Sequence, residues 1–196
     1  MAVPVVTALR ARGSGHVAID LDGQEWRVVP LEAVYTTGLT VGRRLDRVAA
    51  RGLRRELRRL EALREARRAL RARDHTGASL ERRLTARGTA PAARREAVEA
   101  MLRAGFVDDQ RFASGRAELL ARRGAGDLFI ADDLERQGVP AAAVEAAVAA
   151  LDPEPTRVAA VVEARGRSAR TARYLAAMGF SEAALEPLVA ELTTDA

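Results

Sequence analysis

The chain has 196 residues, 48% of them hydrophobic and 30% charged, which suits one ordinary domain or a short array of small ones and argues against wholesale disorder. It contains no cysteine, so disulfides, cysteine-type zinc sites, iron–sulfur clusters and thiol nucleophiles are excluded. All 32 basic residues are arginine, which removes Schiff-base chemistry and a Walker A lysine, and the net charge is +5.

Aromatic residues are only 4%, while Ala, Leu, Arg and Glu dominate, a mixture that loses little on entering helices. No apolar run approaches the about 18 residues of a membrane-spanning helix. The opening MAVPVVTALRARG lacks a basic segment followed by a long apolar one, so no signal peptide is expected and the reading is of a soluble, cytoplasmic protein. Uniform use of arginine has a bland explanation in genome composition. It still supplies planar forks that meet phosphate or carboxylate in pairs.

Residues 1–34 read as a β ribbon. Val3–Ala11 leads through Gly13-Ser14-Gly15 to HVAIDL, then Asp22-Gly23, then QEWRVV. Asp-Gly between alternating runs signals a hairpin, because both turn positions need positive φ. Trp26 and Val28 share a face, with Ala18 and Leu21 as expected companions, and the ribbon should pack on the helices that follow.

Leu31–Val34 looks like a short helical turn, interrupted at Gly38-Leu39-Thr40-Val41-Gly42, with Thr40 as the expected cap of the next helix. After Gly52, the positions Leu53, Leu57, Leu60, Leu63 and Leu70 form one apolar stripe on a helix over 53–73. Its other faces are crowded with arginine.

An internal repeat then organises the chain. Leu84, Leu134 and Leu175 each stand four residues before a glycine, Gly88, Gly138 and Gly179. A second helix follows each glycine and ends near Leu102, Leu151 and Leu192, restarted by Pro91, by Pro140 and by Ser181-Glu182. With one helix upstream of each, the reading is mainly α: tandem three-helix repeats in an elongated array, preceded by a small N-terminal antiparallel β ribbon. The expected divisions are 1–34 ribbon, 35–62 connection and long basic helix, and repeats over 63–105, 106–151 and 152–196.

Charge is segregated along this array. Residues 43–73 hold thirteen arginines against four acids, whereas 124–164 hold two arginines against eight acids. Such a pattern suits a polyanionic partner or a solvated helix face. No arrangement for catalysis emerges. His16 and His75 lack HExxH spacing or triad partners, the Gly13 and Gly124 turns lack a phosphate-loop continuation, and no metal or cofactor is expected. Of the acid pairs, Asp108 is expected to cap a helix, and one of Asp132-Asp133 to pair with an arginine.

Gly105-Phe-Val-Asp108-Asp109-Gln-Arg111-Phe112-Ala113 resembles a stretch shared by the RecX family of recombination regulators. The likeness continues through Arg122-Arg123-Gly124, Ile130, Leu134 and Gly138-Val139, and covers most of residues 35–192. Ser79-Leu80 stands where the family commonly has Glu-Leu, and Ala177-Met178 where it often has two basic residues.

The resemblance implies a non-enzymatic monomer that binds the RecA recombinase–DNA filament, lies in its groove, and limits its recombinase and coprotease activity in DNA repair. Arg54, Arg55, Arg58 and Arg59, with Arg82, Arg83, Arg87, Arg122 and Arg123, are the expected polyanion-facing set. They would contact DNA phosphates or acidic recombinase surface without reading bases. A stand-alone helical nucleic-acid binder remains the alternative, though few aromatics are present for base stacking.

Overall fold

The computed structural model describes residues 2–194, which form three strands and ten helices. β1 (Val6–Arg12), β2 (His16–Leu21) and β3 (Gln24–Pro30) make one antiparallel sheet in that order. Asp22 and Gly23 take φ of +49° and +86°, the conformation the two-residue turn requires. One face of the sheet buries Val6, Val17, Ile19 and Val29 against Ala33 and Val34 of α1 (Leu31–Thr37) and against Leu53. The ribbon thus packs on the helices after it.

Its faces differ in part from expectation. Ala18 lies opposite Val28, but Leu21 packs against the buried cluster, while Trp26 and Val28 stay 44% and 45% exposed. The register shifts between Ile19 and Asp20, and such a bulge turns the end of a strand over.

α2 (Arg47–Ala72) is a single helix, about 39 Å long at 1.5 Å per residue. Its cap is Asp46, whose Oδ1 accepts from the amides of Val48 (2.9 Å) and Ala49 (2.8 Å). Thr40, the expected cap, lies in the preceding loop. Gly52 sits inside the helix and does not break it. A glycine there costs only about 0.5–1 kcal/mol, less than the about 1.5–3 kcal/mol gained by burying the neighbouring Leu53.

The remaining helices are α3 (Gly77–Ala86), α4 (Pro91–Arg103), α5 (Asp109–Arg122), α6 (Asp127–Gln137), α7 (Ala141–Ala149), α8 (Glu154–Arg165), α9 (Ala169–Ala177) and α10 (Glu182–Thr194). The triple frame recurs atom by atom. Leu84, Leu134 and Leu175 are fully buried, and the glycines after them have φ of +72°, +81° and +79°. The amide beyond each glycine returns to the leucine carbonyl at 3.1, 3.1 and 3.2 Å, closing the helix by a left-handed cap. The chain is therefore mainly α behind a small antiparallel sheet, with a consistent helical repeat. Leu102 departs from the frame: it is 42% exposed, and Met101 takes the buried place.

Two compact units emerge. One comprises residues through Ala72 together with Glu81–Met101, the other Arg73–Leu80 together with residues from Leu102 on. In the second unit, the first residue of one helix finishes the start of an earlier one. Asp109 opens α5 and accepts from the amide of Gly77, the first residue of α3, at 2.9 Å. Glu154 opens α8 and accepts from the amide of Asp127, the first residue of α6, at 2.8 Å. Each carboxylate satisfies an amide that a helix start leaves without an intrahelical partner.

Backbones also approach closely in this unit. The amides of Gly126 and Leu128 donate to the carbonyls of Met178 and Gly179 at 2.8 and 3.1 Å. A Cβ at Gly126 would lie 2.3 Å from the backbone of Gly179, which explains the glycine. Among the described residues, no helix is long and apolar enough to cross a membrane.

Candidate polyanion interface

α2 presents arginine at helical spacing. Arg51, Arg54, Arg55 and Arg58 project from one side of it and line a groove of about 360 Å³ in the first unit. The opposite wall is the first turns of α4, with Ala92, Ala93 and Glu96. A helix start carries the positive end of its dipole, which adds to the arginines, while Glu96 sets one carboxylate against them. Arg51 and Arg54 donate Nε–H to carbonyls one turn earlier, at 3.1 and 3.2 Å, which leaves their terminal nitrogens for a ligand. Among the described residues, neither Arg55 nor Arg58 has an ion-pair partner.

Arg59 belongs to the fold instead. Its guanidinium meets Glu56 at 2.7 Å and Glu32 at 3.0 Å. The Glu56 hydrogen bond, opposed by burial and helped by both charges, raises its pKa above the ordinary arginine value. A doubly engaged arginine has little left for a polyanion. Arg82, Arg83 and Arg87 are exposed at and beyond the end of α3 and line neither this groove nor the one that follows.

Arg122 and Arg123 line a second groove, of about 610 Å³, in the other unit. It lies between the end of α5 and α8, and includes Leu151, Val161, Arg165 and Tyr174. Arg122 sits 3.7 Å from Glu118, an exposed pair of small energetic weight. Arg165 lies over the Tyr174 ring, 3.9 Å from its centroid.

Spacing alone missed Arg51. Arg51 precedes Arg54 and Arg55 by three and four residues, the signal that reveals it once Gly52 is kept inside the helix. Arg165 opens the basic run Arg165, Arg167, Arg170 and Arg173, and the fold sets it in this groove over Tyr174.

The acid pairs are structural. Asp108 Oδ1 accepts from the amide of Arg111 at 2.9 Å, as a helix cap. Asp133 forms a two-pronged bridge with Arg116 at 2.8 and 3.0 Å, and Asp132 pairs with Arg136 at 2.9 Å. The Arg116 hydrogen bond, despite burial, holds the Asp133 carboxyl below its ordinary range. His16 Nδ1 contacts the Ser14 carbonyl oxygen, and the buried His75 lies 3.0 Å from Ser79 Oγ. Among the described residues, no three His, Asp or Glu side chains gather as metal ligands.

These features define a class: a helical-repeat protein behind a small sheet, with arginine-lined grooves. No protein-family model matches the chain. It is 37% identical over 76 residues to a regulatory protein RecX of Stenotrophomonas maltophilia, covering 39% of this chain and 47% of that one. It is 39% identical over 80 residues to a regulatory protein RecX of Xanthomonas campestris, covering 41% and 49%. In both cases the chain spans about half the length of the curated relative it matches. A crystal structure of regulatory protein RecX superposes with TM-score 0.81 at 16% identity, over 95% of this chain and 98% of that one. RecX from Lactobacillus salivarius gives 0.58 at 14%, over 70% and 97%. At such identities the structures speak for the fold. The chain is thus similar in sequence, over part of its length, to proteins named regulatory protein RecX, and in fold to solved structures of that name.

Proposed function

We propose that the chain is a non-enzymatic, cytoplasmic regulator that binds the RecA recombinase–DNA filament as a monomer and restrains its recombinase and coprotease activity. One observation carries the reading. Three of the arginines named from sequence, Arg54, Arg55 and Arg58, join Arg51 along one wall of a single groove. Four guanidinium groups on neighbouring turns suit a ladder of phosphates, which positions a protein on nucleic acid without reading bases. Sequence relatives described as regulatory protein RecX support the regulatory half of the reading.

The test is ATP hydrolysis by recombinase on single-stranded DNA with this chain titrated in. The expected result is a dose-dependent fall, weakened at least about tenfold when Arg55 and Arg58 become Glu, as loss of about 1.4 kcal/mol of binding would give. An unchanged hydrolysis rate overturns the regulatory reading. Equal binding to naked DNA and to filament at matched salt instead favours a stand-alone nucleic-acid binder.

A further inference from the structure

The groove between α5 and α8 has a counterpart one repeat upstream. Phe106, Gly115 and Leu119 line a concavity of about 380 Å³ there, and each lies 45 residues before its equivalent, Leu151, Ala160 and Ala164. Both grooves lie within the second unit. The hollow itself is a product of stacking one repeat on the next, and alone implies no ligand. What changes between the two copies is the chemistry of the walls.

In the upstream copy Arg116 is firmly engaged by Asp133 at 2.8 Å, Arg111 makes only an exposed contact with Asp108 at 3.7 Å, like that of Arg122 with Glu118 downstream, and Asp74 adds a further acid to the wall. In the downstream copy Arg123 and Arg165 face the groove without an ion-pair partner among the described residues. Between them lies an apolar floor that includes Leu151 and Val161. Repeat architecture requires none of this, since the upstream copy is built without it.

We propose that the α5–α8 groove docks a protein segment that carries carboxylates flanking an apolar side chain. The two guanidinium forks match carboxylates in geometry and sign, and the floor takes the apolar anchor. Nucleic acid fits less well for two reasons. The exposed Glu118 and Asp152 on the rim repel a continuous run of phosphates. Tyr174, the aromatic of the groove, already has Arg165 over its face, so it offers no free platform for a base. The site is separate from the arginine groove on α2 and stands or falls independently of the recombinase reading.

The probe is a labelled helical peptide of Glu and Leu, compared with its Lys-for-Glu counterpart and with oligo-dT, each titrated into the full chain. Anisotropy reads affinity, and methyl NMR reads the Leu151 and Val161 signals. The acidic peptide is expected to bind and to shift both methyl groups, and the basic one to leave them in place. Arg123→Glu with Arg165→Glu should weaken the acidic peptide at least about tenfold and abolish its shifts of the Leu151 and Val161 methyl groups. Arg123→Gln with Arg165→Gln, which keep side-chain length, should weaken it in the same direction should charge reversal disturb the fold. The proposal is overturned by an acidic peptide that does not bind, by affinity that survives both pairs, or by oligo-dT shifting the same methyl groups equally.

Discussion

Glu154 carries three hydrogen bonds on one buried carboxylate: from the amide of Asp127 at 2.8 Å, from the amide of Ser181 at 3.0 Å, and from the Ser181 hydroxyl at 2.5 Å. Burial pushes its pKa up, but the Ser181 hydroxyl, the two amides and the Arg157 charge outweigh burial and hold it below the ordinary glutamate value. A carboxyl more acidic in the folded state takes up its proton first when unfolded. Its contribution is therefore complete above the ordinary glutamate pKa of about 4.3 and fades as pH falls through the folded value. Glu154→Gln is expected to cost about 2 kcal/mol at neutral pH, since hydrogen bonds to a charged group are lost. Urea titrations between neutrality and acid should show a shallower decline for the variant than for the parent. Parallel acid limbs would contradict this role. Arg157 adds to the same cluster by pairing with Asp127, donating to the carbonyl of Ala125 and lying over Phe180.

Among the elements, α2 is the clearest case of a helix that packing holds together across a poor residue. Gly52 has open space where a Cβ would go and lies in regular helix. Gly52→Ala should therefore stabilise the first unit by about 0.5–1 kcal/mol, checked by thermal melting of the full chain. A fall in melting temperature would show that the glycine serves a purpose the helix itself does not reveal. The L-x3-G frame was legible because each leucine, glycine and following amide closes on itself within six residues. Asp46 was missed because Thr40 is an equally good cap by chemistry, and only the ties of Leu45 to Pro4 and of Val6 to Arg43 fix where the loop ends. The roles of Asp109 and Glu154 were illegible for a different reason. Their acceptors reach amides 32 and 27 residues upstream, a distance at which local spacing carries no signal. Arg59 likewise looks like its neighbours in sequence, and only the fold brings Glu32 to it.

Over the whole molecule, thirteen arginines in residues 43–73 give the chain its most basic stretch. If they meet phosphate, affinity must fall with salt. Each contact adds about 0.7 to the log–log slope on single strands, so Arg55→Ala with Arg58→Ala should lower that slope by about 1.4 and weaken all sequences alike. A slope that stays put would place the contacts elsewhere. Sequence sufficed to find the basic stretch; it did not show that Arg51 joins it while Arg59 is spoken for. The backward reach of Asp109 and Glu154 has a consequence for how the protein is made. During synthesis α6 is made before Glu154, and its first amide waits until a carboxylate 27 residues further along has been added and folded back. Maturation is thus retrospective: a later carboxylate seals the start of α3 and another that of α6, and a chain cut off after α7 would carry α6 without its latch.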